Sequence, residues 1–166
     1  MSKSPRFMQL VHTLRQAPQA IAKIHGGEEY PHLCGHVYFY QTNHGVLVAA
    51  DIIGLPTSAK HCGNRIFAFH IHSGNSCAGT HDDMFANSMG HYNPDNCPHP
   101  HHAGDLPPLF ENNGRAFQVF LTDRFCVRNI IGRTVIIHSG PDDFTTQPSG
   151  NSGTKIACGE IKSCCR

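Results

Sequence analysis

The chain has 166 residues, with 13 Lys and Arg against 12 Asp and Glu for a formal net charge of +1. That length suits one domain able to bury roughly two thirds of its unfolded surface, and the near-neutral balance, with no Lys/Arg run or interleaved aromatic and basic residues, argues against a nucleic-acid partner. What stands out is 14 His and 8 Cys with no Trp, a bias towards imidazole and thiol that favours metal binding before any motif is considered.

Residues 1–15 carry the charges of an export leader, but their apolar stretch is interrupted by Gln9, His12 and Arg15, which argues against one. No run approaches membrane-spanning length. The cytoplasm is therefore the expected compartment, and a membrane is not an expected partner. Met8, Val11 and Leu14 have helical spacing before Pro18, in a segment too short to be stable without a surface to dock on. Residues 1–19 are accordingly expected to be an N-terminal extension to a domain spanning 20–166.

From Ala20 the texture changes to short β-type runs, A-I-A-K-I, H-V-Y-F-Y-Q-T and G-V-L-V-A-A-D-I-I, with a hairpin turn expected at Asn43 to Gly45. R-I-F-A-F-H-I-H, R-A-F-Q-V-F-L-T, R-T-V-I-I-H and T-K-I-A-C-G-E-I follow, with one helical turn expected at Phe125 to Ile131. About seven strands with Gly- and Pro-rich connections indicate an antiparallel sandwich or barrel. The connections Ser73 to Leu109 and Ser139 to Gly153 exceed ordinary loop lengths and are expected to be functional.

The first long connection contains G-H-Y-N-P-D-N-C-P-H-P-H-H-A-G-D, with Pro and Gly that exclude a regular helix. His91, His99, His102 and Asp105 stand eight, three and three residues apart, so an irregular segment can wrap three nitrogens and one oxygen around one ion, a set suited to zinc. In F-H-I-H, His70 and His72 leave one face of a strand while Ile71 leaves the other. His138 ends another strand. Taken singly, these are a polar loop and exposed strand histidines; together they point to two adjacent metals, with imidazole suiting copper or zinc.

F-H-I-H, G-H-Y-N-P, H-A-G-D-L-P, I-I-G-R-T-V-I-I-H, D-D-F-T-T-Q-P-S-G-N-S-G and K-I-A-C-G-E-I, in this order between about Ala20 and Ile161, resemble the copper/zinc superoxide dismutases. The resemblance implies a Greek-key antiparallel β-sandwich or flattened barrel, immunoglobulin-like, with two long functional loops. It implies copper on His70, His72, His91 and His138, and zinc on His91, His99, His102 and Asp105, with His91 shared. His101 is the local rival to His99, which keeps the family's eight-residue interval from the shared histidine. Asp142 matches the aspartate that links a copper histidine to a zinc histidine. Cys77 and Cys158 match the family's disulfide, leaving Cys34, Cys62, Cys97, Cys126, Cys164 and Cys165 over; most of these are expected to be buried thiols, with Cys97 a competitor for zinc.

The activity so implied is disproportionation of superoxide by alternating Cu(II) and Cu(I), with His91 carrying a proton. Where the family has an arginine to attract the anion, this chain has Lys155, which keeps the charge and loses the planar fork. His91 and Lys155 are thus the expected catalytic residues, and superoxide the expected substrate. A homodimer is compatible with the resemblance without being specified by it. The rival reading is a non-catalytic zinc- or copper-binding protein of the same fold, which would be free to lose copper positions that are all filled here.

Overall fold

Period-two alternation of small and branched apolar residues draws most of the chain into antiparallel strands, as seen in a computed structural model that describes residues 7–58 and 62–164. In chain order the strands are β1 (Ala20–Gly26), β2 (Cys34–Thr42), β3 (Gly45–Ile53), β4 (Ile66–Phe67), β5 (Phe69–His72), β6 (Leu109–Phe110), β7 (Arg115–Thr122), β8 (Thr134–His138) and β9 (Lys155–Ser163). Among the described residues two short α-helices, α1 (Phe7–Leu14) and α2 (Val127–Ile130), and one 3-10 turn, Ala86–Ser88, accompany them. Seven strands form one sheet in the order β5-β8-β9-β1-β2-β3-β7, and β4 pairs with β6. This is the Greek-key β-sandwich or flattened barrel expected from the sequence.

The main core lies on one face of the curled sheet. Ala22 and Ile24 of β1, Val37 and Phe39 of β2, Val46 and Val48 of β3 and Val135 and Ile137 of β8 all point into it. The β2–β3 hairpin turns where expected, with Thr42 opposite Gly45, and Gly45 takes a φ of 123° that L side chains rarely adopt. The helical turn near Phe125 appears as α2, burying Val127 and Ile130.

The opposite face of the sheet is covered in two places. α1 lays Leu10 and Leu14 against Tyr38, Tyr40, Leu47 and Ala49 of β2 and β3, which supplies the docking surface that so short a helix needs. Further along, Met84 and Phe85 pack on Ile136 and Cys158, where the Cys77–Cys158 disulfide ties the first long connection to β9.

The structure revises two expectations. R-I-F-A-F-H-I-H is not one strand: it breaks at Ala68 into β4 and β5, which belong to different sheets. Nor are the remaining thiols buried. Cys34, Cys62 and Cys164 are exposed, and Cys97 and Cys126 are half-buried, because they sit at strand ends, in connections and at a helix N-cap rather than on core-facing positions. Cys165 and residues 1–6 of the extension lie outside the described residues.

Candidate metal centre

The centre is built on β5. Phe69 and Ile71 point into the main core, which sends His70 and His72 to the other face, where both are fully buried. The free edge of β5 is closed by the first long connection: Ile71 N–H donates to Gly104 O at 2.9 Å and Tyr92 N–H donates to Ile71 O at 2.8 Å. This pairing places Asp105 beside His70 and His91 beside His72. His138 arrives from β8, where a bulge between Ile137 and His138 shifts its register against Lys155; such bulges re-aim a side chain.

One donor atom from each of His70, His72, His91 and His138 lies within 4.8 Å of the others, and the same holds for His91, His99, His102 and Asp105. The hydrogen bonds fix which nitrogen each ring offers. His72 Nδ1 donates to Met89 O at 2.8 Å and His138 Nδ1 to Gly153 O at 3.4 Å, so the Nε2 of each carries a lone pair, and the two Nε2 atoms face each other at 3.3 Å. His70 Nε2 and His99 Nε2 donate to the two oxygens of Asp142 at 2.8 and 2.9 Å, which leaves both Nδ1 atoms bare. His70 Nδ1, His91 Nε2 and His99 Nδ1 are buried with no hydrogen-bond partner; His99 Nδ1 is 3.1 Å from Asp105 Oδ2 but outside bonding geometry. Buried polar atoms without partners are costly, and converging imidazole lone pairs are what a cation would satisfy.

Electrostatics agree. Burial pushes the imidazoles of His70 and His72 below their ordinary range and that of His138 down to about 3, so all three are neutral near neutral pH, the form in which imidazole can bind a metal. Burial opposes ionisation of Asp142 and Asp105, but hydrogen bonds override it. For Asp142 these come from His70, the Phe144 N–H and His99, lowering its carboxyl to about 2. For Asp105 the His91 bond does so. Both remain carboxylates.

His91 joins the two sets. Its Nδ1 is 2.8 Å from Asp105 Oδ1 and 3.3 Å from His102 Nδ1, while its Nε2 is buried and bare; the residue counts in both sets. His101, the rival to His99, is exposed and belongs to neither set. Cys97 is also in neither; its N–H and carbonyl pair with the Asn93 side chain.

Residues 33–161 match the family model described as copper/zinc superoxide dismutase (SODC). The chain belongs to the copper/zinc superoxide dismutase family. It is 34% identical over 143 residues to "Superoxide dismutase [Cu-Zn] 2" of Aquifex aeolicus, covering 77% of this chain and 78% of the relative. It is 32% identical over 161 residues to the copper-zinc superoxide dismutase of Legionella pneumophila, covering 92% and 93%. The solved copper/zinc superoxide dismutase of Brucella abortus superposes with a TM-score of 0.72 at 25% identity, over 86% of this chain and 99% of that one. The two donor sets suit this family's metals, since four imidazoles fit copper and three imidazoles with one carboxylate fit zinc.

Several residues that hold the dismutase site together escape notice in the sequence. Gln147 braces one long connection against the other, accepting from His99 N–H at 3.0 Å and donating to His99 O at 2.7 Å. Arg124 Nη1 donates to the carbonyls of Pro100, His102 and Asp105 at 3.1, 3.0 and 3.3 Å. Gly150, at φ 70°, leaves no room for a Cβ, which would fall 2.0 Å from Asp142 Oδ1. Gln147 and Gly150 lie in the T-T-Q-P-S-G-N-S-G run and could have been suspected from it; Arg124 carries no local signal. The site opens into a cavity of about 1170 Å³ whose lining includes His72, His91, His138 and Lys155.

Proposed function

We propose that His70, His72, His91 and His138 hold copper, that His91, His99, His102 and Asp105 hold zinc, and that this superoxide dismutase works through the shared His91. Two superoxide anions and two protons become one oxygen and one hydrogen peroxide. When bound, copper supplies a one-electron couple and zinc a fixed charge that has no redox chemistry.

The residues supply the rest. His91 presents Nε2 to one donor set and Nδ1 to the other, so a proton taken up at Nε2 can be delivered to the departing peroxide without moving the ring. Asp142 accepts from one histidine of each set and so locks their ring orientations together. Burial of His70, away from the cavity, keeps bulk water from the interior side, and the cavity lined by His72, His91 and His138 gives a small anion an approach. Lys155 stands on that approach, its side chain 16% exposed, and places a positive charge in the path.

The observation that carries this reading is the set of opposed bare nitrogens around His91. Metal analysis and dismutation rate on one sample test it: the expected result is one copper and one zinc per chain with activity proportional to copper. Zinc alone at full occupancy, with no dismutation after copper is supplied, would instead favour the non-catalytic metal-binding reading.

A further inference from the structure

The Lys155 ammonium is not free. Nζ lies 2.8 Å from Asp83 Oδ2 and 3.1 Å from Phe85 O. Asp83 is itself held: its Oδ1 accepts from Phe85 N–H at 3.0 Å, its N–H donates to Thr80 Oγ1 at 3.2 Å, and its carbonyl accepts from the N–H groups of Thr80 and Ala86. A lysine carries a compact charge on a flexible stem; here a fixed carboxylate and a carbonyl hold it where it is. The same carboxylate sets a negative charge beside the positive one. At a distance an anion meets a dipole, whose field falls off faster than that of a lone charge.

The surroundings strengthen this effect. Among the described residues lining the cavity, Glu28, Glu29, Asp82 and Asp83 are acidic and Lys155 is the single Lys or Arg. The mouth is therefore negative before metals are counted, for a substrate that is an anion.

We propose that Asp83 is a positioning residue that fixes the Lys155 ammonium at the mouth and masks its charge at range, so that it sets the strength of substrate attraction. This rests on the reading that Lys155 draws the anion. Asp83 touches neither substrate nor metal ligands, and it acts through the field at the mouth.

The test compares the metal-loaded wild type with Asp83→Asn, Asp83→Ser and Lys155→Gln by pulse radiolysis across a salt series, at matched copper and zinc content. Serine keeps a hydroxyl that can accept from the Phe85 N–H, so one variant preserves the turn if the other disturbs it. Asp83 is about half exposed and Lys155 lines the open cavity, so neither Asp83 variant strands a buried charge; both are expected to fold. At low salt both Asp83 variants are expected to be about twofold to threefold faster than wild type, because a unit charge about 8 Å from the path in water changes encounter by about that much. The gain should shrink with salt and vanish near 1 M, where screening acts within about 3 Å.

Rates equal to or below wild type at low salt in both Asp83 variants, or a gain unchanged by salt, would overturn the proposal. Lys155→Gln separates the two layers. If it slows the enzyme while neither Asp83 variant is faster, the Asp83 inference alone fails. If it leaves the rate unchanged, the role of Lys155 fails and the inference falls with it.

Discussion

The two donor sets meet at His91 but are held by different physics. Three of the four residues on one side, His70, His72 and His138, stand on β5 and β8, whose alternate residues Phe69, Ile71, Val135 and Ile137 are buried in the core. Packing therefore positions these imidazoles as a consequence of the fold itself. On the other side, His99, His102 and Asp105 lie in an irregular connection fixed by polar braces from Asp142, Gln147 and Arg124. Such braces are worth little singly, and a bound ion would complete them. The strand-borne set is placed by packing, and the loop-borne set is the one that a bound ion would tighten most.

This contrast can be broken most severely at His70. His70→Ala is expected to abolish copper binding and reduce dismutation to background while zinc remains, because the residue belongs to one set only. Near-normal activity in that variant, measured with metal content on the same sample, would remove the strand-borne set from the mechanism. Asp105→Ala should produce the reverse imbalance. Zinc is lost, the connection loosens, and the melting temperature falls by about 5 °C or more, since metal binding is coupled to folding. Unchanged zinc content and melting temperature would mean that the loop is held without the ion.

A subtler expectation concerns the metal-free protein. Burial lowers the imidazoles of His70, His72 and His138 in the folded state, the last to about 3, whereas unfolded histidines titrate near about 6.5. Between these values the unfolded chain binds more protons, so stability is lost as pH falls from about 6.5 towards 3, by about 1.4 kcal/mol per pH unit for each histidine in its window. Asp142 adds to this loss only once pH falls through the unfolded carboxyl value of about 3.9, and continues to do so down to its folded value of about 2. Chemical denaturation of the metal-free protein at several pH values reads the slope, and a stability independent of pH over that range would show that the strand histidines are already hydrated.

What was legible in the sequence follows the same division. Strands such as β2 and β3 declare themselves by alternation, and the placement of His70 and His72 on one face is a direct consequence of period two. The break at Ala68 and the pairing of β4 with β6 are not legible, because a two-residue strand is created by its tertiary partner rather than by its own pattern. α1 is legible as a helix from the spacing of Met8, Val11 and Leu14, but not that Leu10 and Leu14 are the residues that seat it on Tyr40 and Leu47. The bulge that turns His138 leaves no mark in T-V-I-I-H. Arg124 and Gln147 act at long sequence separation through backbone carbonyls and an N–H, groups that carry no residue identity, and no spacing rule singles them out. The cysteines illustrate the opposite error. Composition gave their type, but exposure depends on position, and Cys34 at a strand end is in water.

The central claim is that His91 serves two metals through its two nitrogens. Diffraction from crystals of the metal-loaded protein at the copper and zinc absorption edges tests it most directly. The account predicts two separate anomalous peaks, copper among His70 Nδ1 and the Nε2 atoms of His72, His91 and His138, and zinc among His91 Nδ1, His99 Nδ1, His102 Nδ1 and Asp105. A single peak, or two peaks of which only one lies on a nitrogen of His91, would contradict it.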